Sequence, residues 1–361
     1  MPIHTLELVK ALKPHADLEI SLSVSRQSER YRDFLKLGVP CHAVDTYKGT
    51  GWPGLLASVF RLPFAILSFV LFVRRQNVDI IFASVSHPWN PLILPFVRRK
   101  NRPYVLMVHD GLRHSGDTTA TPQFWLNIEL RMADAFVTMS DHVRAQLLAL
   151  GGIAEDHVLR VPMGSYGATI GTPPVRSAAI PARRLLFFGR IEHYKGISLL
   201  LEAFALVRAS MPDATLHIAG GGDFSPYSEA AAAIEGVTTE IRYLAETEIP
   251  ALLAAHDILV LPYLEATQSG VISVANAAGM PVVATPVGGL VEQIEDAETG
   301  ILAQGISPQA LAGALMRLMS DPALYAHIAT ESRARSENLW PQAATLIDGF
   351  LHRIAAERQR R

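Results

Sequence analysis

Arg190 and Lys195 stand five positions apart in the run LLFFGRIEHYKG, residues 185–196. The apolar stretch 185–188 reads as a strand, Gly189 ends it, and apolar residues of helical period follow at Ile197, Leu200, Leu201 and Phe204. Strand, basic loop and helix in that order aim fixed positive charge and helix N-terminal N–H groups at one point, which suits a diphosphate. Two solvated loop cations would give the same residues, so both readings stay open on this segment alone. A second such turn comes later in the chain. The apolar strand 258–261 runs into a polar turn, and a helix opens at Gln268-Ser269-Gly270 and stops at Gly279-Met280-Pro281. A strand over 281–284 and the pair Gly288-Gly289 follow. In an open parallel sheet such turns gather at the carboxyl edge, where ligands bind.

The N-terminal half offers a different chemistry. In VLMVHDGLRHSGD, residues 105–117, a strand leads into His109-Asp110 and then a glycine-containing turn with His114. A histidine at the end of a parallel strand faces the cleft between two α/β halves; a hydrogen-bonded structural histidine would leave the same trace. Asp110 would orient that histidine, position an acceptor or cap the turn. His87 lies in a similar polar turn, SHPWN, and Ser140-Asp141-His142 reads first as a helix N-cap. The thirteen histidines show no metal-ligand spacing, so no metal site is expected.

The elements that must position these residues follow from alternating apolar runs. A first helix is expected over 4–12, then strands over 18–24, 41–44, 79–83, 104–109, 135–139 and 158–161 with helices between them. The Gly-, Pro-, Ser- and Thr-containing stretch 164–181 lacks periodicity and reads as a linker. A second βα series starts at Arg184 and runs to about Leu302, followed by helices over 308–319, 323–336 and 340–357. The chain of 361 residues thus divides into an N-terminal domain (1–163), a linker (164–183), a C-terminal domain (184–338) and a last helix (339–361). A formal net charge of −2 gives no support for nucleic-acid binding. The single cysteine, Cys41, excludes an internal disulfide framework and suits a reducing compartment. The start MPIHTLELVKALK has no apolar core of a signal peptide, so a cytoplasmic location is expected.

In its C-terminal half the sequence resembles a GT-B glycosyltransferase of family 4, the retaining enzymes that use nucleotide-sugar donors. The shared pattern is GR-x4-KG at Gly189 to Gly196, Leu-Glu-Ala-Phe at Leu201 to Phe204, HIAGGG at His217 to Gly222 and Ala255-His256-Asp257 before a strand ending Leu261-Pro262. It closes with Gly279, Pro281 to Thr285, Gly288-Gly289, Glu292 and Thr299-Gly300. The resemblance implies an α/β fold of two Rossmann-like domains facing a cleft, with the last helix crossing back to the N-terminal one. It implies a hexosyltransferase that moves a sugar from a nucleotide diphosphate sugar to a saccharide or lipid-linked acceptor in surface polysaccharide or glycolipid synthesis. Arg190, Lys195 and His109 would be catalytic. Gly189, Gly222, Glu265, Gln268, Ser269, Gly270 and Val271 would bind the donor, and Asp110 and His114 would face the acceptor. Neither cofactor nor metal is implied, because Arg190 and Lys195 supply the counter-charge. The family's paired glutamates, E-x7-E, fall on Ala266 and Val274, so ribose recognition must differ here. Glu265 is one residue off the first, and its own partner position is Ser273.

Two departures open alternatives. The family's domains begin with a central strand and glycine turn, whereas this chain begins in a helix; either the true start lies upstream or the element is lost. The missing strand and glutamate admit a non-catalytic GT-B subunit, and a nucleotide-sugar epimerase would share the fold. The run LPFAILSFVLFV, residues 62–73, is flanked by Arg61, Arg74 and Arg75 and interrupted by Pro63. It is shorter than the ~20 residues of a membrane span. A buried crossover helix is the expectation, with peripheral contact to the inner membrane face as the rival.

Overall fold

The structure, a computed structural model, describes residues 2–45, 52–98, 102–110, 123–171 and 182–360, the side chains of 2, 52–58 and 168 excepted. The C-terminal half holds six strands: β7 (Arg184–Phe188), β8 (Thr215–Ala219), β9 (Val237–Glu240), β10 (Ile258–Leu261), β11 (Val282–Ala284) and β12 (Ile301–Leu302). They form one parallel sheet in the order β12-β11-β10-β7-β8-β9. Its central strands are unbroken apolar runs because helices cover both faces; Leu185, Leu186, Phe187 and all of β10 are fully buried. The chain winds outward from β7 through β8 to β9, then returns to lay β10 on the other side of β7. The crevice at the carboxyl ends of β7 and β10 is therefore the topological switch point of this sheet.

The N-terminal half carries β1 (Leu22–Ser25), β2 (Cys41–Val44), β3 (Ile81–Ala83), β4 (Tyr104–Val108), β5 (Ala135–Thr138) and β6 (Val158–Arg160). These split into a parallel pair, β1-β2, and a four-stranded parallel sheet, β3-β4-β5-β6. Among the described residues no strand joins the two. Helix Pro2–Leu12 packs there instead: Leu6 and Val9 close on Leu22, Phe34 and Leu37, and Thr5 bonds Ser84 through their hydroxyls at 2.8 Å. Two strands start later than their apolar runs suggest, because each begins only where its partner does. Leu22 pairs with Cys41, just after Pro40, and Ile81 pairs with Tyr104, just after Pro103.

One further expectation needs correction. Helix Trp52–Arg75 runs through Pro63 without a break and is not a buried crossover. Phe69, Val70 and Val73 pack on the sheet, whereas Phe60, Phe64, Leu67 and Leu71 face outward. No described helix is long and apolar enough to cross a membrane. The first part of the stretch read as a linker is packed. Met163 and Tyr166 are buried, the Trp340 indole donates to the Ser165 carbonyl at 2.7 Å, and Gly167–Ile170 forms a helical turn. A side chain at Gly164 would collide with the Trp340 ring, so glycine there permits the contact. Residues 172–181 lie outside the described residues.

Candidate active site

Both basic residues of the β7 turn stand at the switch point. Gly189 leaves β7 with its N–H on the Ala219 carbonyl, and Arg190 follows it, exposed, its guanidinium 3.4 Å from the Tyr194 hydroxyl. A 3-10 turn, His193–Lys195, then carries the chain to Gly196 and helix Ile197–Ser210. Gly196 adopts φ +69 and lies against the Pro262 carbonyl where a Cβ would clash, so the turn can press on the chain leaving β10. The Leu264 N–H completes the join by donating to the Tyr194 carbonyl at 2.7 Å. This contact sets the Lys195 ammonium over the buried Tyr263 ring, 3.6 Å from its centroid. A desolvated cation–π contact of this kind is worth about 2 kcal/mol. Burial pushes the Lys195 pKa down to about 8; Arg190 adds to that, and Tyr194 and Asp110 oppose it.

The β10 turn supplies the other wall. Helix Gly270–Ala277 starts at the site with Gly270 and Val271 in its first turn. Ser269 is buried, but its N–H is already held by the Gln293 side-chain carbonyl at 2.7 Å, and the Gln293 amide returns a bond to the Ser269 carbonyl at 3.2 Å. Gln293 thus engages the backbone of Ser269 on both sides. Gly270 and Val271 remain at the helix start, where the helix dipole favours an anion. Gly222 closes the β8 side. It has φ +142 and bridges Ile191, so close that a Cβ would strike the Ile191 backbone. Glu265 is exposed. Ala266 and Val274, where the resemblance would put glutamates, are both buried and apolar.

The N-terminal half reaches this turn directly. His109, at the end of β4, is buried and neutral in character: its Nε2–H donates to the Ser84 carbonyl at 2.8 Å, and its Nδ1 accepts from the Gln268 amide at 3.2 Å. Burial lowers its pKa, and the Ser84 bond and Asp110 only partly offset this. Asp110 does not orient His109; it accepts from the Thr267 hydroxyl of the opposite half. The Ser140 hydroxyl caps helix Asp141–Ala149 by accepting from the Val143 N–H at 3.2 Å and donates to the Thr267 carbonyl at 3.0 Å. His114 lies outside the described residues. His87 serves its own turn, accepting from the Trp89 N–H at 3.1 Å.

Several residues of this arrangement escaped the sequence. Thr267, Tyr263 and Gln293 carry no local signal, since each matters only through a contact distant in the chain. Glu292 does more than complete a motif. Its carboxylate crosses from the C-terminal half to accept the Asp141 and His142 N–H groups at 2.5 and 2.8 Å, capping that helix from outside. His4, on the first helix, stands edge-on to His109 at 5.1 Å and donates to the Met107 sulfur at 3.0 Å.

Two family models match the chain: Glycosyl transferases group 1 over residues 182–321, and Glycosyl transferase 4-like domain over residues 1–164. The D-inositol 3-phosphate glycosyltransferase of Pseudarthrobacter chlorophenolicus is 32% identical over 220 residues, 56% of this chain and 51% of that protein. The chain therefore spans about half the length of the curated relatives matched at this level. The glycogen synthase of Mycobacterium tuberculosis is 30% identical over 291 residues, 75% of this chain and 68% of that protein. Among solved structures, Anabaena Alr3699/HepE in complex with UDP-glucose superposes with a TM-score of 0.67 at 19% identity, over 98% of this chain and 95% of that one.

Proposed function

Because the chain belongs to the GT-B glycosyltransferases of family 4, we propose that the cleft between its two halves transfers a sugar from a nucleotide diphosphate sugar to a saccharide or lipid-linked acceptor with retention of configuration. One observation carries this reading. The loop bearing Arg190 and Lys195 and the start of helix Gly270–Ala277 converge at the switch point of the C-terminal sheet. Two cations and a helix N-terminus there match a diphosphate in charge and in donor chemistry. The UDP and UDP-glucose bound by Anabaena Alr3699/HepE suggest uridine donors as the first to try.

In the proposed reaction the acceptor oxygen forms a bond to the anomeric carbon while the bond from that carbon to the phosphate oxygen breaks. Same-face attack lets the departing phosphate oxygen take the acceptor proton. Arg190 and Lys195 stabilise the charge that builds on the diphosphate, so no metal ion is invoked. His109 stays neutral at neutral pH and offers its Nδ1 to a sugar hydroxyl in place of the Gln268 amide. Asp110 and Thr267 stand beside that point from opposite halves, where closure would exclude water. The role belongs to surface polysaccharide or glycolipid synthesis in this reading, with Glu265 at the donor's rim.

The test is turnover. The protein is incubated with UDP-glucose, other nucleotide sugars and saccharide or polyprenyl phosphate acceptors, with a chelator present, and products are separated by chromatography. Acceptor-dependent release of nucleotide, lost in Arg190→Ala, is expected. Binding without release would assign a non-catalytic subunit, and an isomerised free sugar nucleotide would assign an epimerase; either would overturn the proposal.

A further inference from the structure

Helix Trp52–Arg75 is apolar on every side, yet over residues 59–75 it packs on the protein along one side only. On an ideal helix Phe60, Phe64, Leu67 and Leu71 fall within an arc of about 60°. All four face solvent, at 75, 75, 58 and 49% exposure. Arg74 and Arg75 end the same stripe, and Arg61 stands beside its start. The neighbouring helices continue the pattern: Phe96 on Asn90–Val97 and Phe124 on Gln123–Met132 are exposed as well. Four large apolar side chains exposed along one helix face mark a site of contact.

The charge on these helices identifies what they contact. The three helices together contain a single carboxylate, Glu129, which is fully buried and engaged by Ser86, Asn90 and Tyr104. Their outward charge is therefore entirely cationic, and among the described residues no ion pair engages Arg61, Arg74 or Arg75. A second copy of the chain laid on this face would bring arginines against arginines with no carboxylate to receive them. An anionic lipid surface answers both features, since acyl chains accept the aromatic and leucine side chains while headgroups meet the guanidinium groups.

We propose that the face formed by Phe60, Phe64, Leu67 and Leu71, with Arg74 and Arg75, docks the protein on an anionic bilayer. The helix lies in the plane of the interface, and the N-terminal half of the cleft is held at the membrane. This docking does not depend on the proposed sugar transfer, because it can be measured without any substrate. The test is sedimentation of the full chain with vesicles of phosphatidylcholine mixed with phosphatidylglycerol, against phosphatidylcholine alone. The wild type should partition onto the anionic vesicles and release as salt is raised. Arg74→Ala and Arg75→Ala should each weaken binding about fivefold. The triple change Phe60→Ser, Phe64→Ser, Leu67→Ser should abolish it with the unfolding transition unchanged, since these side chains face solvent. Failure of the wild type to bind, or undiminished binding by the triple variant, would overturn the proposal. So would a dimer in sedimentation velocity that the same changes dissociate, with no vesicle binding, which would assign the face to a second copy.

Discussion

The Lys195 ammonium is buried at the site, and its chemistry makes a prediction in pH. Burial holds its pKa at about 8, so the ammonium is charged below that value and neutral above it. The charged form attracts a diphosphate. Nucleoside diphosphate affinity should thus hold steady toward neutral pH and fall as pH rises through about 8. Titration calorimetry at several pH values checks this, and Lys195→Arg should flatten the fall because arginine keeps its charge throughout. Arg190→Ala should cost about tenfold or more in affinity, the worth of one hydrogen bond to a charged group. Both cations were legible in the sequence because they sit in one short turn between a strand and a helix. Tyr263, which places the ammonium, was not, because a buried tyrosine after a strand has the signature of ordinary core. His109 was legible from its place at a strand end, but its partners Ser84 and Gln268 were not, being distant in the chain.

The turns after β7 and β10 meet because Gly196 lies on the Pro262 carbonyl, and the turn after β8 joins them where Gly222 lies on Ile191. Gly222→Ala forces φ +142 on a residue with a Cβ and a clash with backbone, and should destabilise the fold by about 1–3 kcal/mol in denaturant unfolding. Helix Asp141–Ala149 is capped twice, by Ser140 within its own half and by Glu292 from the other. Glu292→Ala should free the first N–H groups of that helix, and hydrogen exchange at Asp141 and His142 should rise while the rest of the helix keeps its protection. Strand and helix order was readable from periodicity; in the structure the Ser307 hydroxyl caps the helix that begins at Pro308 by accepting from the Ala310 N–H. Periodicity could not place the outward face of Trp52–Arg75, since a helix apolar all round gives no clue to which side is covered.

Across the whole molecule, helix Leu339–Gln359 ties the halves together. It packs on helix Pro2–Leu12, and His157 bonds Glu357 at 3.1 Å while Arg358 reaches Asp134. Trp340 sits where the chain passes between halves, against Gly164, Tyr166 and His4. Trp340→Ala should cost about 3–5 kcal/mol of stability, the usual range for emptying a large aromatic site. Helix Pro2–Leu12 also brings His4 against His109, a contact that was not visible in the sequence. What unites these levels is the claim that the cleft of this molecule is built to receive a nucleoside diphosphate. The most direct test is thermal unfolding of the wild type and of Lys195→Ala with UDP, GDP and ADP in turn. At ~100 times its dissociation constant the right nucleotide should stabilise the wild type by about 2.7 kcal/mol, and the variant should lose that gain. A cooperatively unfolding wild type that none of the three stabilises, or a variant that gains as much as the wild type, would contradict it.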